Sequence, residues 1–217
     1  MTEIRELSSH PELREAVALQ KTIWGFDDAD LIPFRMMVVA TKIGGQLLGG
    51  FVDGKMVAFC LAIPGLKPLA KPYLHSHMLG VLPEYRNAGI GRSLKLRQRD
   101  DALARGLDLI EWTFDPLELK NAYFNIERLG AIVRRYERNQ YGLSSSRLHG
   151  GLPTDRCVAE WWIRKPRERI ELAERISVPA DIAEARAMQS KIADRFERCF
   201  ARGLTVFGME NGCYLLG

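Results

Sequence analysis

The residues with the most suggestive spacing form a short stretch, Arg86-Asn87-Ala88-Gly89-Ile90-Gly91-Arg92, that follows an apolar segment. A polyphosphate needs several converging N–H donors, and a loop that enters a helix N-terminus supplies them together with the positive end of the helix dipole. Glycine lets the backbone approach closely, and Arg86, Arg92 and Lys95 add positive charge. The stretch is therefore predicted to be a turn that binds a phosphate-bearing ligand.

Two common nucleotide-binding motifs do not fit this turn. No Gly-Lys-Ser/Thr follows it, which excludes a Walker loop, and G-x-G-x-x-G is absent, which excludes a Rossmann fingerprint. The glycine pattern alone is also compatible with an ordinary helix start whose arginines are solvated. The context of the turn must decide between these interpretations.

Two histidines precede the turn in the segment YLHSHMLGV, which alternates as a strand does. Because side chains on a strand alternate with period two, His75 and His77 are predicted to share one face. An imidazole, with an ordinary pKa of about 6.5, can accept the proton of an amine directly or through water. The alternative is a hydrogen-bonded structural pair. A metal site is not predicted, because the sequence offers no third ligand.

Hydrophobic periodicity and turn residues predict the elements that must position these side chains. Asp53-Gly54 and Asn211-Gly212 favour hairpins, and Gly106 and Gly130 end helices. Strands are predicted at 4–7, 46–52, 55–63, 73–81, 107–114, 131–136, 157–163, 204–209 and 213–216, and helices at 11–23, 34–41, 89–105, 117–129 and 180–202. This mixture predicts an α+β (mixed α/β) fold.

The run Leu79–Gly91 resembles the acyl-CoA-binding signature of the GNAT superfamily of N-acyltransferases, in which Q/R-x-x-G-x-G/A follows a strand. The order of predicted elements is similar to that family from about Thr2 to Lys165. The resemblance implies a central mixed, mostly antiparallel sheet flanked by helices. It divides the chain into an acyltransferase domain at 1–165 and a C-terminal helix and hairpin extension at 166–217.

By this resemblance the co-substrate is acetyl-CoA or another acyl-CoA, with no metal. Backbone amides of residues 87–92 would hold the CoA diphosphate, and the strand edge at 79–81 would pair with the pantetheine arm. The cofactor-binding residues that the resemblance implies are Leu79, Gly80, Val81, Arg86, Asn87, Ala88, Gly89, Ile90, Gly91, Arg92, Asn121 and Phe124.

The chain departs from the family on the helix that usually carries the general acid. Many members have a pattern resembling N-x-x-A-x-x-x-Y-x-x-x-G, whose tyrosine protonates the leaving thiolate. When Ala122 and Gly130 are aligned with that pattern, Ile126 stands at the tyrosine position and Leu119 at the asparagine position.

A shifted set of donors is therefore expected on the same helix. Tyr123 is the candidate acid, and Asn121 or Asn125 would bond the pantetheine; the alternative packs Tyr123 and Phe124 in the core. Some family members have a carboxylate base where His75 falls, which makes His75 the candidate base. The predicted catalytic residues are His75, Tyr123 and Asn125.

The acceptor amine is expected near the loop at 24–35, which often borders the acceptor site in this superfamily. Its acidic residues could attract an ammonium and Arg35 could pair with a carboxylate, although a solvated loop is the alternative. The acidic candidates of the loop are Asp27, Asp28 and Asp30. Two further candidates are Glu111 on the strand predicted at 107–114 and Asp115 after it.

Composition limits the remaining function classes. The 217 residues carry a net charge of +4, and the basic segment at 92–99 is interrupted by Asp100 and Asp101, so nucleic acid is not a predicted partner. With no apolar run of about 20 residues and no signal-like start, a cytoplasmic protein without membrane partners is expected. Four dispersed cysteines favour buried thiols. The apolar face of the 180–202 helix would pack on the core or form a homodimer.

The resemblance thus implies an N-acyltransferase that moves an acetyl or larger acyl group, such as succinyl, to a small amine or amino acid by direct attack in a ternary complex. No cysteine is placed to suggest a covalent acyl-enzyme. The alternative, motivated by Ile126, is a non-catalytic acyl-CoA-binding or sensing module.

Overall fold

A computed structural model describes residues 2–68, 70–143, 145–146, 151–165 and 170–217. The chain forms two compact units, one of residues 1–110 and 144–150 and the other of residues 111–143 and 151–217. Among the described residues, no helix combines the length and the apolar character needed to cross a bilayer.

The first unit contains four strands that pair antiparallel in chain order. The predicted hairpin at Asp53-Gly54 is confirmed, with left-handed φ values of 49° and 79° at its two turn residues. The strands are β1 (Thr2–Glu6), β2 (Gln46–Val52), β3 (Lys55–Gly65) and β4 (Tyr73–Val81), and the helices are α1 (His10–Trp24), α2 (Phe34–Lys42) and α3 (Ile90–Ala104).

Local sequence explains both ends of α1. At its start, Ser9 and Glu12 form a capping box, in which each side chain accepts a hydrogen bond from the other residue's main-chain N–H. At its end, Gly25 takes a left-handed conformation, with φ 70°. The helix therefore stops at Trp24, whose ring lies over Gly80 of β4, where an added Cβ would approach the ring to 2.7 Å.

The core of the first unit lies along β2 and β3. Both strands are buried along almost their whole length, which is why their sequences are near-continuous apolar runs rather than alternating ones. Leu94 and Ile90 of α3 belong to this core, so the helix that follows the glycine turn is fixed by its apolar face.

The second unit continues from β5 (Leu109–Phe114), which begins in the first unit. The other strands are β6 (Ile132–Glu137), β7 (Arg156–Trp162), β8 (Glu174–Ser177), β9 (Val206–Glu210) and β10 (Cys213–Leu216), and the helices are α4 (Leu119–Tyr123), α5 (Ile182–Ala187) and α6 (Gln189–Ala201). The strand order is β5-β7-β6-β9-β10-β8.

Three details of the second unit differ from the prediction. The helix expected at 180–202 is two helices, because Met188 leaves helical geometry with φ −100° and ψ 2°. The helix expected at 117–129 begins at Leu119 and changes to a π-helical turn at Phe124–Arg128. Strand β8 was not predicted, since its four residues are mostly polar.

The predicted α+β class is confirmed, with mostly antiparallel strands flanked by helices. The hairpin at Asn211-Gly212 is also confirmed, by left-handed φ values of 50° and 75°. Strand β9 of the predicted extension pairs with β6 through Val206 and Val133. A domain boundary after residue 165 stays a prediction, and residues 166–169 lie outside the described ones.

Candidate functional site

The glycine turn leads from β4 into α3 through two left-handed residues. Asn87 has φ 63° and Gly89 has φ 81°, and Gly89 is the N-cap of α3. Asparagine and glycine are the residues that adopt this conformation most readily. The turn exposes residues 86–89 and then buries Ile90, which anchors the first turn of the helix.

The N-terminus of α3 is suited to an anion. The first N–H groups of a helix have no acceptor within the helix, and Gly89 has no side chain that could cap them. The positive end of the helix dipole lies at the same place. The structure therefore presents N–H donors at the turn that the sequence predicted to bind a diphosphate.

The basic side chains of this region differ in where they lie. Arg86 and Arg92 are exposed, and Nε of Arg86 donates a hydrogen bond of 3.2 Å to the Val81 carbonyl at the end of β4. Lys95 does not face the turn: its Nζ is buried and donates to Oγ of Ser76 at 2.7 Å. The expectation that Lys95 adds charge for a phosphate is wrong, because Lys95 lies on the buried face of α3, about one helical turn after the exposed Arg92.

The strand edge predicted for the pantetheine arm lies beside the glycine turn. A Cβ at Gly91 would lie 3.5 Å from the Leu79 side chain and 3.7 Å from that of Val81. These are ordinary contact distances, so the first turn of α3 lies against the end of β4. The structure thus brings the predicted diphosphate and pantetheine residues of the first unit together.

A β-bulge interrupts β4 at His77. Met78 pairs with Leu61 and Ser76 pairs with Ala62, so His77 is the extra residue in the ladder. A bulge leaves its extra residue unpaired, bends the strand and is frequent next to active sites.

The two histidines of β4 are neighbours. The ring centroids of His75 and His77 are 5.9 Å apart, while Ser76 between them contacts α3. Burial lowers the pKa of His77 below its ordinary value, so this imidazole is neutral at neutral pH. Among the described residues, no three His, Cys, Asp or Glu side chains are grouped as a metal site would require.

The predicted donors of the second unit lie on α4 and its π-helical continuation. Tyr123 and Asn121 are exposed, Phe124 is half-buried and Asn125 is buried. Arg128 lies over the Tyr123 ring at 5.7 Å from its centroid. The alternative that packs Tyr123 in the core is therefore wrong, since 46% of this residue is exposed.

Asn125 uses both ends of its amide within the second unit. Its Oδ1 accepts a hydrogen bond of 3.2 Å from Trp112 Nε1, and its Nδ2 donates to Asn121 Oδ1 at 3.4 Å. These bonds attach the helix to β5. Ile126, at the position where the family has its tyrosine, is fully buried.

The acidic loop of the first unit forms hydrogen bonds and an ion pair with other residues of that unit. Asp28 pairs with Lys21 at 2.5 Å, and Asp30 accepts hydrogen bonds from both the hydroxyl and the N–H of Ser145. Gln20 bonds both backbone groups of Ile32. The three aspartates of the loop are nevertheless exposed, so the solvated loop stays an alternative to an acceptor site.

A charged cluster on the sheet of the second unit was missed by sequence reasoning. Glu111 and Glu160, each 5% exposed, both contact the half-exposed Arg135, and Glu160 also contacts Arg134. Nothing in the linear sequence pairs these residues, because they come from three different strands. Glu111 therefore has arginine as its neighbour and is not an isolated carboxylate.

Comparison with known proteins identifies the family of the chain. A family model described as "Acetyltransferase (GNAT) family" matches residues 10–130. No curated protein sequence matches the chain.

Solved structures share the fold at low identity. The ribosomal-protein-S18-alanine N-acetyltransferase of Escherichia coli is 18% identical, with TM-score 0.60 over 79% of this chain and 99% of that one. Aminoglycoside 6'-acetyltransferase type Ii is 20% identical, with TM-score 0.57 over 76% and 99%. A GNAT family acetyltransferase from Elizabethkingia anophelis, solved with acetyl-CoA bound, is 12% identical, with TM-score 0.55 over 74% and 97%.

Proposed function

The chain belongs to the GNAT acetyltransferase family of acyl-CoA-dependent enzymes, and we propose that its acceptor is the amine of a small molecule or an amino acid. The transferred group is acetyl or a larger acyl group such as succinyl. The observation that supports the use of acyl-CoA is the exposed, left-handed glycine turn at the N-terminus of α3, which follows β4.

In this proposal the first unit binds most of the acyl-CoA. Main-chain N–H groups of residues 87–92 hold the diphosphate, and Arg86 and Arg92 add charge-assisted contacts. Residues 79–81 pair with the pantetheine arm, and Gly91 of α3 lies against the side chains of Leu79 and Val81. Asn121 and Phe124 are proposed as contacts of the arm on the ground of the family resemblance.

The proposed chemistry is direct attack. The acceptor's amine lone pair forms a bond to the thioester carbonyl carbon, and collapse of the oxyanion breaks the C–S bond. His75 accepts the amine proton, directly or through water, and Tyr123 protonates the thiolate. Asn125 supports the helix that carries Tyr123 through its bonds to Trp112 and Asn121.

Three of the four cysteines are unsuited to form an acyl-enzyme, which favours direct attack. A nucleophilic cysteine needs an accessible thiolate. Burial raises the pKa of Cys60 to about 12 and also raises the pKa values of Cys157 and Cys199. These thiols therefore stay protonated and shielded at neutral pH.

The second candidate is a non-catalytic acyl-CoA-binding module, which the buried Ile126 at the usual tyrosine position favours. Titration calorimetry with CoA and acetyl-CoA, followed by a thiol-release assay with amines and amino acids, separates the two. Binding with acceptor-dependent thiol release supports the enzyme. Binding without release from any acceptor or acyl donor supports the module, and no binding overturns both.

The cytoplasmic location, the lack of nucleic-acid and membrane partners and a possible homodimer stay predictions from the sequence. Size-exclusion chromatography with light scattering is the direct measurement for the dimer.

A further inference from the structure

A lysine side chain is buried in the first unit where three elements meet. Lys95 is 3% exposed, and its Nζ donates to Ser76 Oγ of β4 at 2.7 Å and to Gln98 Oε1 of α3 at 3.3 Å. Gln98 in turn donates to Cys60 Sγ of β3 at 3.7 Å. A chain of polar contacts therefore joins α3 to two neighbouring strands through the interior.

The surroundings of this amine favour its neutral form. Burial lowers the pKa of Lys95 to about 7, because the charged amine would lose its hydration. The Cys60 thiol faces it from β3 and stays protonated at neutral pH. From α3 itself, Asp101 is near enough to raise the pKa of Cys60, but it contacts Gln46 and Arg97. The histidines of β4 flank Ser76 in the sequence.

The Lys95–Ser76 hydrogen bond lies between the two elements that form the proposed acyl-CoA site. Ser76 directly precedes the bulge at His77, and residues 79–81 follow on the same strand. Lys95 lies on the same helix whose N-terminus forms the glycine turn. The Lys95–Ser76 hydrogen bond thus ties the strand proposed for pantetheine to the helix proposed for the diphosphate.

We propose that Lys95 is a positioning residue, whose uncharged amine holds the bulged part of β4 against α3. When the amine takes up a proton, the buried cation weakens this packing, and the strand and the turn lose their relative placement. The link to turnover rests on the proposed acyltransferase function.

Three substitutions separate charge from hydrogen bonding. Lys95→Gln is neutral and keeps a donor, Lys95→Met is neutral without one, and Lys95→Arg is always charged. The measurement is kcat against pH from 5.5 to 9.5, at saturating acyl-CoA and acceptor, with the exposed Lys191→Gln as control. The acceptor amine and the base titrate in every variant, so differences between variants isolate Lys95.

For the wild type, kcat is expected to fall as the pH drops through neutrality by more than it does in Lys95→Gln. Lys95→Gln should keep at least a third of the wild-type kcat at pH 9, and Lys95→Arg should lose at least tenfold at every pH. Lys95→Met should also lack the extra fall of kcat below neutral pH, but it should have a lower kcat than Lys95→Gln. Identical profiles in the wild type and Lys95→Gln would overturn the inference.

A second measurement does not depend on turnover. The side-chain ¹⁵N resonance of Lys95, assigned by its loss in Lys95→Gln, is expected to titrate near neutral pH. The protection of the amides at 74–79 against hydrogen exchange, corrected for the pH dependence of the intrinsic rate, should fall below that midpoint in the wild type and not in Lys95→Gln. A lysine that titrates near its ordinary pKa, or unchanged exchange, would refute the positioning role even if catalysis is found. Conversely, absent turnover in a protein whose Lys95 does titrate near neutral pH would count against the proposed function alone.

Discussion

The hydroxyl of Tyr214 donates a hydrogen bond of 2.7 Å to the carbonyl oxygen of Pro116, which lies 98 residues earlier in the chain. Tyr214 is fully buried and packs edge-on against Phe196 of α6. Nearby, the Met209 N–H donates to Glu127 Oε1 at 2.7 Å. The C-terminal hairpin thereby braces both ends of the segment that carries α4 and its π-helical turn.

Tyr214→Phe should lower the stability of the second unit by about 1–3 kcal/mol, because it leaves the buried Pro116 carbonyl without its donor. Urea unfolding followed by tryptophan fluorescence measures the change. Glu210→Gln is the control, since it breaks only the exposed pair with Arg175 and should cost at most about 1 kcal/mol. Equal effects of the two substitutions would contradict the bracing role.

Gly89→Ala should weaken CoA binding about tenfold, because alanine disfavours the left-handed conformation that aims the N–H groups of the turn. Gly106→Ala, past the other end of α3, is a matched control: its φ of 77° is close to the 81° of Gly89, and neither Cβ meets a neighbour within 4 Å. Both variants should lose similar stability. Calorimetry should show reduced CoA affinity for Gly89→Ala only; a similar loss in both would argue against the turn as the diphosphate site.

The stability of the wild type should rise with pH between about 7 and 10.5 through Lys95. The folded pKa is about 7 against an ordinary value of 10.5, so the unfolded chain binds the extra proton throughout this window. The rise should be on the order of 3–5 kcal/mol. Urea unfolding of the wild type and Lys95→Met at pH 6.5, 8 and 10 tests this, because Lys95→Met lacks this contribution to the slope. Parallel curves would show that the amine is charged in the native state.

His77 should make the stability of the wild type depend on pH in the acidic range. Burial lowers its folded pKa, so the unfolded imidazole takes up its proton first as the pH falls below about 6.5. The stability that His77 contributes is present above this pH and is lost on acidification. His77→Gln should flatten the free energy of unfolding between pH 6.5 and 5 relative to the wild type. The difference between the two proteins at each pH is the informative quantity.

His75→Gln should reduce kcat about 100-fold or more if His75 is the base, with little change in the affinity for acyl-CoA. The exposed His10→Gln is the control for loss of a histidine. Single-turnover rates measure the effect on the chemical step, and calorimetry measures acyl-CoA affinity. A His75→Gln enzyme with an unchanged kcat would leave the base to another group or to water.

Local sequence sufficed where a single residue fixes the backbone. Asp53-Gly54 and Asn211-Gly212 favour tight hairpins, and both form with left-handed turn residues. Gly106 and Gly130 take positive φ after the helices that they were predicted to end. The strand, glycine turn and helix at 73–104 were also predicted from local signals, namely the alternating strand and the glycines at both ends of the helix.

Tertiary contacts decided the rest. Met188 is a good helix former, and nothing local marks it as the break between α5 and α6. In the sequence Lys95 is one of several basic residues of a helix, and its burial depends on the contact with Ser76 of the neighbouring strand. The arginines of β6 form ion pairs with Glu111 and Glu160, which come from strands that are distant in the sequence. None of these relationships is encoded within a short window.

The unequal shielding of the cysteines makes the natural sequence convenient for spectroscopy. Cys60, Cys157 and Cys199 lie in the interior, whereas Cys213 at the start of β10 is partly open to solvent. A maleimide dye should therefore attach first at Cys213, with no engineering of the chain. The label would report on the terminal hairpin while the two units unfold.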